Sequence, residues 1–444
     1  MNLAGAVPFY LGQRSKKPAK SMSDKAAPAS AHRTLQILGP GLITGASDDD
    51  PSGIATYSQV GAQFGFGLGW VMLFSFPLMT AIQETSARIG RATGEGIAGN
   101  IRRHYPVWLL QIIVGLLLIA NIINLGADLG AMGSVVTMLV GGPALLYAVL
   151  FGVLCAGLQI FTDYKSYVSF LKWLTISLFA YVATALVIDI PWREVMLRTL
   201  IPSLQFETKY IVAIVAVLGT TISPYLFFWQ SSQEAEEVRE DPMAKPLKRA
   251  PRQAPAELRR IRIDTYLGMF MSNAIGWFII VSVAATLNAH GVKDIQTASQ
   301  AAEALRPIAG PFAFVLFALG IVGTGMLAVP VLAGSAGYAL AEALRWPAGL
   351  ARKPRAAKAF YGAIALATGF GVIFNLLPID PIKALFWTAV LNGIVAVPIM
   401  VMTMLMAGQE KVMGRFVLPR PLATMGWIAT TVMCAVAVAL IVTW

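Results

Sequence analysis

The chain has 444 residues, 57% of them hydrophobic and only 13% charged, about half the ~25% charged share of a soluble domain. Composition therefore excludes a water-soluble globule and makes lipid the solvent for most of the chain. A formal charge of +11 does not point to nucleic acid, because the basic residues mark the breaks between apolar windows instead of gathering on one face.

Residues 1–33 are basic and rich in Ala, Ser and Pro, with no apolar run of signal-peptide length, and read as a disordered cytoplasmic tail. Residues 34–444 read as a single transmembrane domain. Apolar windows of roughly 20 residues predict helices over 36–64, 67–92, 107–139, 144–162, 166–189, 208–234, 263–288, 310–342, 359–377, 382–407 and 423–443. An odd number of spans puts the two termini on opposite faces, and the positive-inside rule tests that arrangement. With residues 1–33 inside, only Arg193, Arg198, Lys209, Lys293, Arg306 and Lys383 of the 34 Lys and Arg lie outside, and Lys172 falls within a span. The reading is a multi-pass inner-membrane protein with a cytoplasmic N-terminus and Trp444 outside. The basic stretch Lys245–Arg262 is then a cytoplasmic loop. Cys155 and Cys434 sit in apolar windows and predict no disulfide framework.

The first span contains Ser47-Asp48-Asp49-Asp50-Pro51-Ser52-Gly53, three carboxylates followed by residues that disfavour continuous helix. A charge at mid-membrane costs at least ~2.5–3.5 kcal/mol on insertion scales, so three together need a reason. A surface loop between two short segments is the plain alternative, but the flanks are each too short to cross alone. The sixth span carries Gly219-Thr220-Thr221-Ile222-Ser223-Pro224-Tyr225, again a proline among small hydroxyl residues. Pro51 and Pro224 fall in spans one and six, equivalent members of two five-helix halves at 36–189 and 208–407, followed by an eleventh helix. Paired interruptions point to an inverted-repeat transporter with its site at the midplane.

An unwound turn frees backbone carbonyls that must face protein or a watery cavity, and hard cations take carbonyls and carboxylates as ligands. Asp50 is the first candidate ligand, with carbonyls near Thr220, Thr221 and Ser223 as partners. Asp48 and Asp49 are expected to line the approach or to help hold a hydrated ion. The cargo implied is a divalent cation moving by alternating access, with no resident cofactor and no catalytic residues, since no nucleophile, base and orienting group stand at recognisable spacing.

These motifs resemble those of the Nramp family of divalent-metal transporters, whose fold is LeuT-type, over nearly the whole chain after residue 33. The likeness rests on Gly39-Pro40-Gly41, on Asp50-Pro51-Ser52-Gly53 where the family has Asp-Pro-Gly-Asn, on Gly61-Ala62-Gln63-Phe64-Gly65, on Ala127-Asp128-Leu129-Gly130, and on Thr221-Ile222-Ser223-Pro224-Tyr225 where the family has a Met-Pro-His core. The resemblance implies an all-α five-plus-five inverted repeat with helices one and six broken.

The departures are chemical. Gly53 replaces the family's Asn ligand, Ser223 its Met ligand and Tyr225 its His; Gln230 stands for a second His, Ala131 for an acid on helix three, and Asn392 for a polar helper on helix ten. What remains is oxygen chemistry suited to Mg²⁺, Mn²⁺ or Ca²⁺, closest to the Nramp-related magnesium transporters, and the small Gly53 and Ser223 are expected to leave room for an ion that keeps several waters. His32, His104 and His290 all fall in tail or loops, so Asp128 is the candidate for a proton path. Glu84 reads as a structural hydrogen-bond partner, and Glu234, Glu236 and Glu237 as solvated or paired with Arg239. The partners expected are the ion and the bilayer, with the chain a monomer. Two rival readings keep the same fold: a transporter of amino acids or other small solutes, disfavoured by three aspartates at the break, and a non-transporting sensor.

Overall fold

Proline at 51 and at 224 each opens a new helix instead of bending an old one. The computed structural model describes residues 40–162, 176 and 178–443. The first predicted span is two helices, α1 (Pro40–Asp48) and α2 (Pro51–Phe64), and the sixth is likewise two, α9 (Thr208–Thr221) and α10 (Pro224–Glu240). In both, proline takes the first helical position, where its missing N–H costs no hydrogen bond. At 1.5 Å per residue α1 is only about 14 Å long, well short of the ~30 Å hydrocarbon core.

Between the two broken spans lie α3 (Gly69–Thr93), α4 (Ile97–His104), α5 (Val107–Val140), α6 (Ala144–Phe161), α7 (Phe179–Val187) and α8 (Trp192–Leu200). After them come α11 (Ala254–Val283), α12 (Ala313–Leu344), α13 (Lys358–Phe374), α14 (Pro381–Ala407) and α15 (Arg420–Thr443). No strand occurs among the described residues. The start of the fifth predicted span, with Lys165 and Lys172, and also residues 1–33, Gly39 and Trp444, lie outside the described residues. Outward faces such as Leu146, Leu150 and Val153 of α6 are exposed and apolar, as lipid requires. This is a multi-pass membrane protein.

One predicted boundary moves. The seventh helix was expected from 263, but α11 begins at Ala254, with Pro255 and Glu257 in its first turn. Proline suits that position and the acid suits the positive end of the helix dipole, so much of the basic stretch is helix and not loop.

The two halves exchange their half-helices. α1 packs on α11, from the second half, and α10 packs on α3, from the first, while α5 and α12 cross between them. Small residues set these approaches. A Cβ on Gly45 of α1 would fall 2.3 Å from the Gly268 backbone of α11, and one on Gly219 of α9 would fall 2.0 Å from the Ala389 carbonyl of α14. Close backbone contact of this kind replaces the hydrophobic drive that lipid does not supply. Asp264 of α11 fastens the first contact: its carboxylate accepts from the Gly41 and Leu42 amides at 2.7 and 3.1 Å, capping the start of α1.

Candidate functional site

The sequence leaves two non-helical turns, Asp49–Asp50 between α1 and α2 and Ile222–Ser223 between α9 and α10. Gly53 shows how close they lie. A Cβ placed there would sit 3.1 Å from Thr220 Oγ1 and 3.3 Å from the Asp48 carbonyl oxygen, so the last turns of α1 and α9 meet across the start of α2. Both helices present C-terminal carbonyls toward this meeting point, the end of a helix dipole that favours cations. The same distances correct the expectation of room at Gly53, since the place of its absent side chain is already bounded by Thr220 and Asp48.

Asp48, Asp49 and Asp50 are all buried, but they do not converge. Asp50 caps α2: Oδ1 accepts from the Gly53 amide at 2.7 Å and from Ser52 Oγ at 2.7 Å. Its Oδ2 is 3.2 Å from Asn124 Nδ2 of α5 and 3.2 Å from the Tyr225 hydroxyl of α10. Tyr225 also reaches the Ser47 carbonyl at 3.0 Å, so one phenol touches the end of α1, Asp50 and the start of α10. Asp48 and Asp49 turn the other way, toward α11, where the Ser272 hydroxyl is 2.6 Å from Asp48 Oδ2 and 3.2 Å from Asp49 Oδ1. They are clasped by a helix of the second half and do not stand free along an approach. Among the described residues, no three His, Cys, Asp or Glu side chains gather as a set of metal ligands.

Beside Asp50, Asn124 Oδ1 carries no hydrogen bond among the described residues, and the Asp128 carboxylate has no partner there beyond the Ser52 amide. Buried polar atoms are normally satisfied, and unsatisfied oxygens around one carboxylate suit a cation. Asn124 and Asp128 are four residues apart on α5 and so share a face, with Asp128 close enough to Asp50 to feel its charge. The sequence reading missed Asn124 and Ser272; the i, i+4 spacing to Asp128 was the signal for the first, and no local pattern announced the second.

Ser223 bonds its own helix end: its hydroxyl lies 2.9 and 2.8 Å from the Gly219 and Thr220 carbonyls, and Thr221 Oγ1 lies 3.0 Å from the Val217 carbonyl. Both oxygens keep lone pairs, but those two carbonyls near the break are already engaged. Asn392 is buried on α14 beside Gly393, which packs on α9, and its side-chain NH₂ is unbonded.

Gln230 does not line the break. Six residues beyond Pro224, or about 9 Å along the helix, it accepts from Gln83 of α3 at 2.6 Å and donates to Thr265 of α11 at 2.9 Å. Glu84 accepts from Arg88 at 2.6 Å, a structural pairing. At the end of α10 Glu234 and Glu236 are buried while the Glu237 side chain stays 41% exposed, and the cation paired with the cluster is Arg260 and not Arg239. Glu234 is fully buried and paired with Arg260 at 2.5 Å, Glu237 meets the same guanidinium at 3.3 Å, and Glu236 accepts from Tyr338 and from the Ala351 amide.

A cleft of about 720 Å³ opens from the opposite end of the bundle, lined by Gln59, Gln63, Lys209, Asp294 and Trp387 among others, and reaching Ala55 of α2. Ala55 is five residues past Asp50, about 7.5 Å along the helix.

A family model described as natural resistance-associated macrophage protein-like, or Nramp, matches residues 41–443. The divalent metal cation transporter MntH of Deinococcus radiodurans is 26% identical over 426 residues, 92% of this chain and 90% of its own. Among solved structures, the Eremococcus coleocola manganese transporter bound to an aromatic bis-isothiourea substituted compound matches with a TM-score of 0.73 and 16% identity, covering 93% of this chain and 87% of that one. MhsT in complex with L-phenylalanine matches with a TM-score of 0.58 and 14% identity, covering 90% and 98%. At such identities these structures speak to the fold, which is the LeuT-type arrangement with broken first and sixth helices.

Proposed function

Because this chain belongs to the Nramp family, we propose that it carries divalent metal cations across the cell's inner membrane, binding the ion where the two broken helices meet. The observation that carries the reading is the contact through Gly53, which sets the ends of α1 and α9 against the Asp50 cap of α2. A cation there meets one charged ligand, Asp50, and candidate neutral oxygens from Asn124, Thr220, Thr221 and Ser223. Asp128 lies beside this set as a second charge or a proton acceptor. Tyr225 spans the gap from α10 to α1 and positions Asp50. Pro51 and Pro224 fix the break points, and the narrow place at Gly53 brings the Asp48 carbonyl within reach.

Oxygen ligands without a thioether favour Mg²⁺ and Mn²⁺ over softer ions. The similar transporters named above support divalent metal as the class of cargo, and manganese is what one of those names specifies. With the N-terminus cytoplasmic, the cleft ending at Ala55 faces outward and the Arg-rich ends of α3 and α11 face inward. No histidine falls within a span, which supports weak proton coupling. The chain acts as a monomer in this reading. Purified protein in proteoliposomes should show Mn²⁺ or Mg²⁺ uptake above that of empty vesicles; uptake of amino acids but of neither ion would reject the proposal.

A further inference from the structure

Far from the helix breaks, where α3 ends and α11 begins, a pocket of about 440 Å³ is lined by four arginines, Arg88, Arg259, Arg262 and Arg415. Glu84 offsets one of these charges, 2.6 Å from Arg88 and 3.6 Å from Arg262. Arg88 is only 6% exposed and is therefore fixed in the pocket wall. Leu258, Phe416 and Val417 supply apolar wall between the guanidiniums. Like charges held around one concavity are unfavourable until an anion shares them, and the guanidinium fork matches phosphate oxygens two at a time.

The pocket has a continuation. Its lining ends at Pro419, and the next residue, Arg420, begins a shallow groove, open to the outside along one face of α15. Ala423, Trp427, Ile428, Thr431 and Val432 line it. Their three-to-four-residue spacing puts them on one face of the helix. From 420 to 432 this face runs about 18 Å, the length of a fatty-acyl chain, and Trp427 and Ile428 are 40% and 44% exposed. A basic pocket at one end of an apolar, lipid-facing groove has the two-part shape of a phospholipid.

We propose that this pocket and groove hold one anionic phospholipid, its headgroup phosphate among the arginines and one acyl chain along α15. Basic pockets between transmembrane helices are known to take anionic headgroups. Arg88 comes from α3, Arg259 and Arg262 from α11, and Arg415 from the segment before α15, so one phosphate would tie these three elements together.

The test uses the full chain, delipidated in neutral detergent and then offered phosphatidylglycerol or phosphatidylcholine, with bound lipid counted by native mass spectrometry. The parent should retain one phosphatidylglycerol in preference to phosphatidylcholine. Arg259→Gln with Arg415→Gln, which leaves the Glu84–Arg88 pair intact, should weaken retention roughly thirtyfold. Ala423→Phe, which fills the groove without changing charge, should also lower it. Equal unfolding temperatures of parent and variants in lipid-free detergent establish that the variants are folded. Equal retention of phosphatidylglycerol by the arginine variant would overturn the proposal, and so would indifference to Ala423→Phe. Binding of inorganic phosphate alone, with no preference between the two lipids, would overturn it in favour of a soluble anion.

Discussion

Ser272 of α11 lies 2.6 Å from Asp48 and 3.2 Å from Asp49, so a single hydroxyl, donating its one proton over the shorter distance to Asp48, stands against two of the three aspartates of the first break. The third, Asp50, is held instead by α5 and α10. Adjacent in sequence, the three carboxylates are divided between different neighbours. Ser272→Ala should lower stability by about 1–3 kcal/mol, because a buried acceptor loses its donor. Ser272→Thr should restore most of the loss. Unfolding midpoints in detergent decide the matter, and an unchanged midpoint for Ser272→Ala would mean the carboxylates are satisfied elsewhere.

Asp50→Asn separates charge from capping. Asparagine caps a helix as well as aspartate does, so the fold should survive while the only charge on the α2 cap is lost. Metal uptake in proteoliposomes should fall to the level of empty vesicles, with the unfolding midpoint close to that of the parent. Uptake like the parent's, together with a dead Asp48→Ala or Asp49→Ala, would move the charged ligand to the Ser272 side.

Asp264→Ala should release the first turn of α1, since the Gly41 and Leu42 amides lose their acceptor. The expected cost is about 1–2 kcal/mol. Hydrogen exchange over residues 40–48 reads it directly, and faster exchange confined to that segment is the expected result. Asp264→Asn should exchange more slowly than Asp264→Ala.

Selectivity should follow the oxygen ligands, with Mn²⁺ and Mg²⁺ transported in preference to Cd²⁺. Replacing Gly53 by Asn and Ser223 by Met should shift preference toward Cd²⁺. The structure adds a condition: an Asn side chain at 53 meets Thr220 Oγ1 at 3.1 Å from its Cβ, so the shift should be larger when Thr220→Ala is added. Competition of Cd²⁺ against Mn²⁺ uptake measures both effects, and Cd²⁺ preferred by the parent itself would show that Ser223 does not set selectivity.

Met243 is 80% exposed in the segment between α10 and α11, which makes Met243→Cys a clean topological reporter. An impermeant thiol reagent should label it only after the cytoplasmic face is opened. Labelling in intact cells would invert the orientation inferred from the Lys/Arg distribution.

Most of the fold was legible because lipid enforces long apolar runs, and helix ends fell close to where those runs stop. The two breaks were legible because charge, proline and glycine are costly in hydrocarbon and stand out there. Partners across the bundle were not. Nothing near Ser272 or Asp264 in sequence says that each meets the first broken helix, and Asn124 is marked only by its spacing to Asp128, because those contacts depend on how the two halves interleave. Glu234 misled for the same reason: a glutamate near the end of a helix reads as solvated until Arg260, on another helix, is placed beside it. Gln230 was assigned by its position in a motif, while its contacts are set by the faces of α3 and α11.

Asp264 gives the bundle a mechanical property. α1 cannot swing away from α11 without breaking two hydrogen bonds to backbone amides, one of them buried and costing about 1–3 kcal/mol if left unsatisfied, and without separating the Gly45–Gly268 contact. Ser272 adds a second anchor at the far end of the same half-helix. α1 and α11 are therefore riveted at both ends of the half-helix, and a displacement of one carries the other with it unless both fastenings, at Asp264 and at Ser272, let go.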